Sequence, residues 1–323
     1  MKDAQAVVVL PAGAFGRIAD ARLRRWLSRG RIWFDAPRCE MLVRVLSAID
    51  APAPEGGLAA LRFWGQADER SAAWIAAADP VHLQTRLRDL RVRALSPPDV
   101  PRQDIRAIFE SLQRELGDDT GFAFTRLGDC GYLRGETQIA TPGVSAAVAD
   151  GHVPDRFTPA GEAGRTYHQL IGEVQMFLHG HEVNLRREEI GLPAINSLWF
   201  WGGGLAPERT DRPVPPLFSS DPLFRGYWKS CAGSIESWHG GFEGCISDAP
   251  NGFVAVPPDT AAERPTVYLE EHLRSLSRLM KTSDIQSLTL LFRDGLGVAI
   301  GRLDRARFWR GISALLDEQN DDG

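Results

Sequence analysis

Residues 195–204, INSLWFWGGG, place two tryptophans and a phenylalanine directly before three consecutive glycines. The aromatic and apolar residues of 194–201 predict a strand, in which alternate side chains face opposite ways. One face would carry Asn196, Leu198 and Phe200, and the other Trp199 and Trp201. Because large apolar groups lie on both faces, we expect a central strand that is covered on both sides, with the tryptophans in the core.

The glycines that follow, Gly202, Gly203 and Gly204, can adopt turns that other residues cannot. Ligands of open α/β sheets gather at the carboxyl ends of strands, where a glycine-rich loop exposes N–H groups that can hold an anion. Simple turn geometry explains the glycines equally well. We predict a ligand site here and expect Gly203→Val to abolish binding with limited loss of fold. The candidate residues are Asn196, Gly202, Gly203, Gly204, His82 and His179.

Short apolar strands alternate with helical segments along the rest of the chain, which favours an α/β fold with a mixed sheet flanked by helices. The predicted elements are a first strand (6–11), helices (102–117, 164–191 with a possible interruption at Gly180, and 304–319) and a hairpin (287–303) that turns at Asp294-Gly295. A proline-rich loop at 96–103 suggests an N-terminal portion, 1–95, and a main portion, 96–323. One continuous domain is the alternative.

Composition excludes several broad classes of protein. The chain has 323 residues, 43% hydrophobic and 24% charged, and a net charge of −5, which is unlike a general nucleic-acid or membrane-surface binder. The basic stretch at 21–31 reads as a solvated helix face. Four scattered cysteines include no Cys-x-x-Cys pair, which argues against a zinc ribbon or a redox site. Without a long apolar run, a cytoplasmic protein with reduced thiols is expected.

The stretch EVQMFLHGHEVNLRREEIGLPAINSLWFWGGGLAP, residues 173–207, resembles a signature of bacterial proteins labelled phosphoglycerate mutase or RpfE-type regulatory protein. The family pattern is Asn-Glu-x-Gln-Met-Leu-Leu-His and then Asn-Ser-Leu-Trp-x-Trp-Gly-x-Gly, from which this chain departs at Gly172. More distantly, WFWGGGLAP resembles a strand end of archaeal-type, cofactor-independent phosphoglycerate mutases of the alkaline-phosphatase superfamily. This resemblance implies a reduced alkaline-phosphatase-like core with a mixed sheet flanked by helices.

A metal-dependent phosphomutase of that kind needs a nucleophilic Ser or Thr and two divalent ions held by Asp and His. In that superfamily the first strand delivers an Asp-Gly to the metals, but here it ends VVVLPAGAFG, residues 7–16, without an aspartate. The remaining candidates for a Mn or Zn site are Asp79, His82, His179 and His181. Histidines two residues apart face different ways on a helix, so hydrogen-bonded structural histidines are the alternative.

Three classes of function follow from these observations. The first is a non-catalytic or repurposed phosphoglycerate-mutase-like protein that binds a phosphorylated metabolite or a protein partner in a regulatory role. The second is an active metal-dependent mutase or phosphotransfer enzyme with an unrecognised ligand set. The third is a protein-interaction module without a small ligand. Neither nucleic acid nor membrane is expected as a partner, and no cofactor is expected outside the second class.

Overall fold

The computed structural model describes residues 4–35, 39–95, 99–258, 265–307 and 309–317. Contacts along the chain define two compact units, unit 1 (Met1–Ala53 with Arg209–Gly323) and unit 2 (Pro54–Glu208). Unit 2 is therefore an insertion within the chain of unit 1. The boundary predicted at residues 95 and 96 lies inside unit 2.

The helices and strands together confirm the α/β class. The helices are α1 Ala21–Leu27, α2 Met41–Ala48, α3 Leu58–Ala67, α4 Arg102–Thr120, α5 Ala146–Ala149, α6 Arg165–His179, α7 Glu182–Glu189, α8 Pro222–Ser230, α9 Phe242–Asp248 and α10 Pro265–Thr282. The strands are β1 Gln5–Leu10, β2 Arg31–Phe34, β3 Trp74–Thr85, β4 Leu90–Ala94, β5 Phe122–Leu127, β6 Cys130–Gly135, β7 Ser197–Gly204, β8 Leu217–Ser219, β9 Ile235–Glu236, β10 Gly252–Val256, β11 Ser287–Phe292 and β12 Leu296–Ile300. Among the described residues, none of these helices combines the length and apolar character that a bilayer crossing requires.

Unit 1 is built on a mixed sheet with the strand order β2-β12-β11-β1-β10-β8-β9 among the described residues. The run from β11 to β9 is parallel, and β12 and β2 add antiparallel partners at one edge. Five of the six residues of β1 are buried, because both faces of a central parallel strand are covered. Leucines of α10 pack into the same core, as the spacing of Leu269, Leu273 and Leu276 requires.

The C-terminal part of unit 1 contains the predicted hairpin but not the predicted closing helix. The predicted hairpin is confirmed, because β11 and β12 pair antiparallel on either side of the Asp294-Gly295 turn. The predicted closing helix at 304–319 is wrong, since the described residues form a short 3₁₀ helix, Arg302–Ala306, followed by turns. Gly311 and the exposed Trp309 interrupt the apolar spacing on which a longer helix would depend.

Unit 2 contains an antiparallel sheet of five strands within its described part, with β4, β6 and β7 all paired to β3 and β5 paired to β6. Helices α3 and α6 both contact β7. Helix α4 runs through Gly117 to Thr120 instead of ending at Gly117, and it stops where Gly121 adopts a left-handed conformation with φ 70°. The long helical stretch at 164–191 is interrupted at Gly180 as predicted, which separates α6 from α7.

The strand of the opening stretch, β7, is buried on both faces as predicted, because Ser197 to Gly202 are all buried. Trp199 and Trp201 belong to the core, and each indole N–H donates a hydrogen bond within unit 2. The prediction of a central strand is wrong: among the described residues β7 pairs only with β3. β7 is therefore covered by helices such as α3 and α6, and not flanked by a second strand.

Candidate functional site

The three glycines are part of β7 and do not form a loop after it. The N–H of Gly202 donates to the Pro142 carbonyl oxygen at 2.8 Å, and the N–H of Gly203 donates to Thr141 Oγ1 at 2.9 Å. Those two donors are satisfied within the protein, which corrects the expectation that they are free to hold an anion. The rule about carboxyl ends of parallel strands does not apply here either, because the sheet of unit 2 is antiparallel.

The glycines instead allow close packing. A Cβ on Gly203 would lie 2.6 Å from the Trp74 ring and 2.8 Å from Thr141 Oγ1. A Cβ on Gly204 would lie 2.6 Å from the backbone nitrogen of Gly57, directly before α3. The segment before α3 and residue Thr141 thus lie against the end of β7, where a side chain has no room.

Asn196 and His82 tie β3 to the segment that leads into β7. The Asn196 side-chain amide accepts a hydrogen bond from the Leu83 N–H at 2.7 Å and donates one to the Leu83 carbonyl at 3.0 Å. The His82 Nδ1 lies 2.9 Å from the Ala194 carbonyl oxygen. The two side chains thus contact backbone groups, as a partly buried amide and imidazole require.

The two histidines of the signature differ in exposure and in hydrogen bonding. His179 is exposed at the end of α6. His181 is 8% exposed and caps α7, where its Nδ1 accepts a hydrogen bond from the Val183 N–H at 3.2 Å. This confirms the alternative interpretation of His181 as a structural histidine. Burial lowers the pKa of His181 below its ordinary value.

The cap made by His181 leads to a pH prediction. Because the folded-state pKa lies below the ordinary value of 6.5, the unfolded state binds the proton more readily. The contribution of this group to stability is therefore complete above 6.5 and is lost as the pH falls below that value through the folded-state pKa, because protonation removes the acceptor at Nδ1. We expect the His181→Asn variant, which keeps a capping acceptor, to lose less unfolding free energy between pH 7.5 and 5.5 than the original protein.

Urea unfolding at the two pH values measures this effect. His179→Asn is the matched control, because it removes an exposed histidine two residues away. Equal pH dependence in the His181→Asn variant and the original protein would contradict the role of the cap.

Asp79 belongs to a buried polar cluster that the sequence did not reveal. Its carboxylate accepts hydrogen bonds from Arg62 Nη1 at 2.7 Å and from the Trp201 indole N–H at 2.6 Å. Arg62 also donates to the Gly131 carbonyl at 2.9 Å, and its guanidinium lies 4.8 Å from the centre of the Tyr132 ring. Burial by itself lowers the pKa of Arg62, but the Asp79 carboxylate, together with Tyr132 and Cys130, holds that pKa above its ordinary value.

The carboxyl end of β1 in unit 1 is the place where a parallel sheet offers backbone donors to a ligand. Here the N–H groups of Gly13 and Ala14 both donate to Asp294 Oδ2 at 2.8 Å. Arg44 donates to the carbonyls of Phe292, at 2.7 Å, and Gly295, at 3.1 Å. A carboxylate of the β11–β12 turn thus occupies the donors that an anionic ligand would use.

A groove between α1 and α10 brings several cationic side chains of unit 1 together. Its volume is about 410 Å³. We name it the α1–α10 groove and define it by its charged and aromatic lining: Asp20, Arg22, Trp26, Arg29, Arg274, Arg278 and Lys281. Five cationic side chains and one carboxylate therefore face one space.

Comparison with known proteins finds distant relatives of part of the chain. No family model matches the chain. The 2,3-bisphosphoglycerate-independent phosphoglycerate mutase of Methanosarcina barkeri is 30% identical over 126 residues, which are 37% of this chain and 31% of that protein. The protein of the same name from Methanosarcina mazei is 27% identical over 124 residues, 37% of this chain and 30% of that protein. The chain is distantly homologous to archaeal cofactor-independent phosphoglycerate mutases.

This homology is limited in extent, since the chain spans about a third of the length of the curated relatives that it matches. A solved cofactor-independent phosphoglycerate mutase from Thermoplasma acidophilum aligns with 93% of this chain and 90% of its own, at 15% identity and a TM-score of 0.43. Its distant sequence homology makes the chain phosphoglycerate-mutase-like.

The residues that the sequence offers for a metal pair do not fit one in this phosphoglycerate-mutase-like protein. The Asp79 carboxylate is bound by Arg62 and Trp201, and His181 Nδ1 is bound within α7. Over the part of the chain that the structure describes, no three His, Cys, Asp or Glu side chains group so that they could hold a metal ion. Asp79, His82, His179 and His181 therefore do not form one centre.

Proposed function

We propose that this phosphoglycerate-mutase-like protein binds a phosphorylated metabolite in a regulatory role and does not catalyse the mutase reaction. The observation that carries the proposal is the α1–α10 groove, with five cationic side chains around about 410 Å³. That volume accommodates a small phosphoester, and clustered cations of this kind recognise phosphate oxygens. The resemblance of residues 173–207 to bacterial RpfE-type regulatory proteins agrees with this role.

Not all of the positive charge in the groove is available to a ligand. Arg274 is bound by Asp20 and Glu270, at 3.2 Å and 2.7 Å. Arg278 is bound by a glutamate of α9, Glu243, at 2.7 Å. These three carboxylates reduce the net charge around the groove.

Two cations of the groove remain free. Among the described residues, neither Arg22 nor Lys281 has an acidic partner. A phosphomonoester carries up to two negative charges near neutral pH, which these two side chains balance. The half-buried Trp26 adds an apolar wall for the carbon skeleton of the ligand.

The mutase alternative is supported less well by the arrangement of side chains. The candidate ligands of a Mn or Zn pair lie in unit 2, and three of them, Asp79, His82 and His181, make hydrogen bonds within it. In unit 1, Asp294 already occupies the backbone donors at the carboxyl end of β1. The third class, an interaction module without a small ligand, leaves the cations of the α1–α10 groove without a role.

Binding of 3-phosphoglycerate tests the proposal. We expect saturable binding that weakens by about tenfold in the double variant Arg22→Ala, Lys281→Ala, because each exposed charge contact contributes roughly 0.7 kcal/mol. Raising the salt to about 1 M, where the screening length is about 3 Å, should remove most of the binding. Calorimetric titration measures both effects.

The matched control is Arg86→Ala, Arg88→Ala, which removes two exposed cations from unit 2. Equal weakening in both double variants would mean that net charge, and not the groove, determines binding. Interconversion of 3- and 2-phosphoglycerate by the protein loaded with two equivalents of Mn²⁺ or Zn²⁺ per chain would overturn the non-catalytic assignment. Absence of any phosphoester binding would leave the interaction module as the better account.

A further inference from the structure

A small cavity of about 140 Å³ lies in unit 2 beside the residues of the signature. We call it the signature pocket and define it by six of its lining residues: Tyr167, Ile171, Gln175, Ser197, Leu198 and Trp199. Helix α6 contributes the first three and strand β7 the last three. The two most specific parts of the signature, the Gln-Met helix and the Asn-Ser-Leu-Trp strand, therefore meet at one cavity.

The hydroxyl group of Tyr167 is the first indication that the signature pocket has an occupant. Tyr167 is 2% exposed, and its ring packs edge-on against Phe200 at 6.5 Å. Among the described residues its hydroxyl has no hydrogen-bond partner. Because this hydroxyl makes no hydrogen bond to the described residues, it is available to a molecule that enters the cavity. Burial raises the pKa of Tyr167, which keeps the group protonated and able to donate.

A second polar group lies at the same cavity. The Ser197 hydroxyl oxygen accepts a hydrogen bond from Gln175 Nε2 at 3.3 Å, and Ser197 is 2% exposed. This leaves the Ser197 hydrogen without an acceptor in the described part of unit 2. Two buried hydroxyl groups that can both donate thus line one small space.

The size and charge of the signature pocket define the kind of molecule that fits. An apolar protein cavity of about 150 Å³ is large enough for a benzene ring. The aliphatic and aromatic walls, including Ile171, Leu198 and Trp199, favour such a ring. No lysine or arginine lines the cavity, its wall includes the Asp155 carboxylate, and the Nε2 of His168 is bound to the Pro159 carbonyl oxygen. An anionic ligand would therefore lack a counter-charge.

We propose that the signature pocket binds a small neutral molecule with a single ring and a carbonyl or amide oxygen, which accepts a hydrogen bond from Tyr167. Leu198 and Trp199 enclose the ring, and Ser197 supplies the second donor. The site is independent of the α1–α10 groove, because it lies in the other unit and recognises the opposite type of molecule. Failure of one proposal therefore leaves the other intact.

Benzamide is the test ligand, since it has one ring and a neutral carbonyl oxygen. We expect it to bind with a dissociation constant on the order of 1 mM, in line with its small size. The indole N–H resonance of Trp199 should shift on titration, because that side chain lines the cavity. Benzoate, of the same shape but charged, should bind at least about tenfold more weakly.

The variants separate the hydrogen bond from the enclosure of the ring. Tyr167→Phe should weaken benzamide binding about fivefold and leave toluene binding unchanged, because only benzamide uses the hydroxyl. Tyr227→Phe is the matched control, since its hydroxyl donates to the Pro52 carbonyl in unit 1. Ile171→Trp, which fills the cavity, should abolish binding of both molecules.

Thermal unfolding of each variant first establishes that it is folded. If Tyr167→Phe does not fold, Ser197→Ala replaces it as the variant that removes a hydrogen-bond donor from the pocket. The proposal is overturned if no probe binds at about 20 mM, if benzoate binds as well as benzamide, or if Tyr167→Phe and Ser197→Ala both bind benzamide normally. Binding that persists in Ile171→Trp would place the ligand elsewhere and would also overturn it.

Discussion

Arg62→Leu is expected to lower the free energy of unfolding by about 3 kcal/mol, because it removes one partner of a buried ion pair. Arg62 is 8% exposed, and without it the Asp79 carboxylate keeps only the hydrogen bond from Trp201. The Gly131 carbonyl loses its donor as well. The estimate is at the low end for such pairs, since the Asp79 side chain is 21% exposed and can be partly hydrated. Denaturant unfolding measures the change.

Arg106→Leu is the matched control for Arg62→Leu. Arg106 also pairs with a carboxylate, Glu110, at 2.7 Å, but both side chains are more than half exposed. Loss of this exposed ion pair should lower the free energy of unfolding by less than about 1 kcal/mol. The double variant Arg62→Leu, Asp79→Leu should be more stable than Arg62→Leu alone, because no unpaired charge remains buried. Equal costs for Arg62→Leu and Arg106→Leu would refute the importance of this cluster.

Gly203→Ala is expected to lower the free energy of unfolding by about 2 kcal/mol, as overpacking of a filled space does. The new Cβ would lie 2.6 Å from the Trp74 ring and 2.8 Å from Thr141 Oγ1, and both must move. Gly203→Val adds two further methyl groups at the same place and should cost more. This reverses the expectation from the sequence, in which Gly203→Val leaves the fold nearly intact.

Gly172→Ala provides the comparison with the same change of one methyl group. No atom lies within 4 Å of a Cβ at Gly172, which is in the middle of α6. Alanine favours a helix over glycine, so this variant should be more stable by about 0.5 to 1 kcal/mol. Relative to the original protein, the midpoint of denaturation should therefore fall in Gly203→Ala and rise in Gly172→Ala. A stabilising Gly203→Ala would show that the end of β7 is not closely packed.

Local patterns predicted much of the fold because they depend on neighbours in sequence. The apolar residues on both faces of β7 predicted its burial, and Gly180 predicted the break between α6 and α7. The Asp294-Gly295 turn predicted the hairpin of β11 and β12. Each of these inferences needs only the side-chain period of a helix or strand, or the chemistry of one turn.

The position of β7 within its sheet could not be predicted in this way. Its partner β3 is more than a hundred residues earlier, and the pairing of Ala78 with Phe200 has no local signal. The same holds for the glycines, since sequence shows which conformations Gly203 can adopt but not which residues lie against it. Thr141 and Trp74 reach that point from distant parts of unit 2.

The candidate sites also depend on contacts between distant parts of the chain, which local sequence patterns do not reveal. The basic stretch at 21–31 looked like a solvated helix face, because its partners in the α1–α10 groove, Arg274, Arg278 and Lys281, follow some 250 residues later. Tyr167 lies within the helical stretch predicted at 164–191, and its burial is what a core residue of a helix shows. That its hydroxyl lacks a partner is a property of the packed structure alone.

The insertion of unit 2 into unit 1 has a consequence for how the chain reaches its native state. Gly57 and Leu205 are adjacent, since a Cβ on Gly57 would lie 2.2 Å from the Leu205 carbonyl oxygen. Once unit 2 is folded, the two points at which it joins unit 1 are therefore already close in space. The entropy lost when β1 pairs with β10 is then smaller than for a flexible chain of the full length between them. Loop-closure entropy depends on the flexible length between the joined segments, and a folded unit 2 no longer adds to that length.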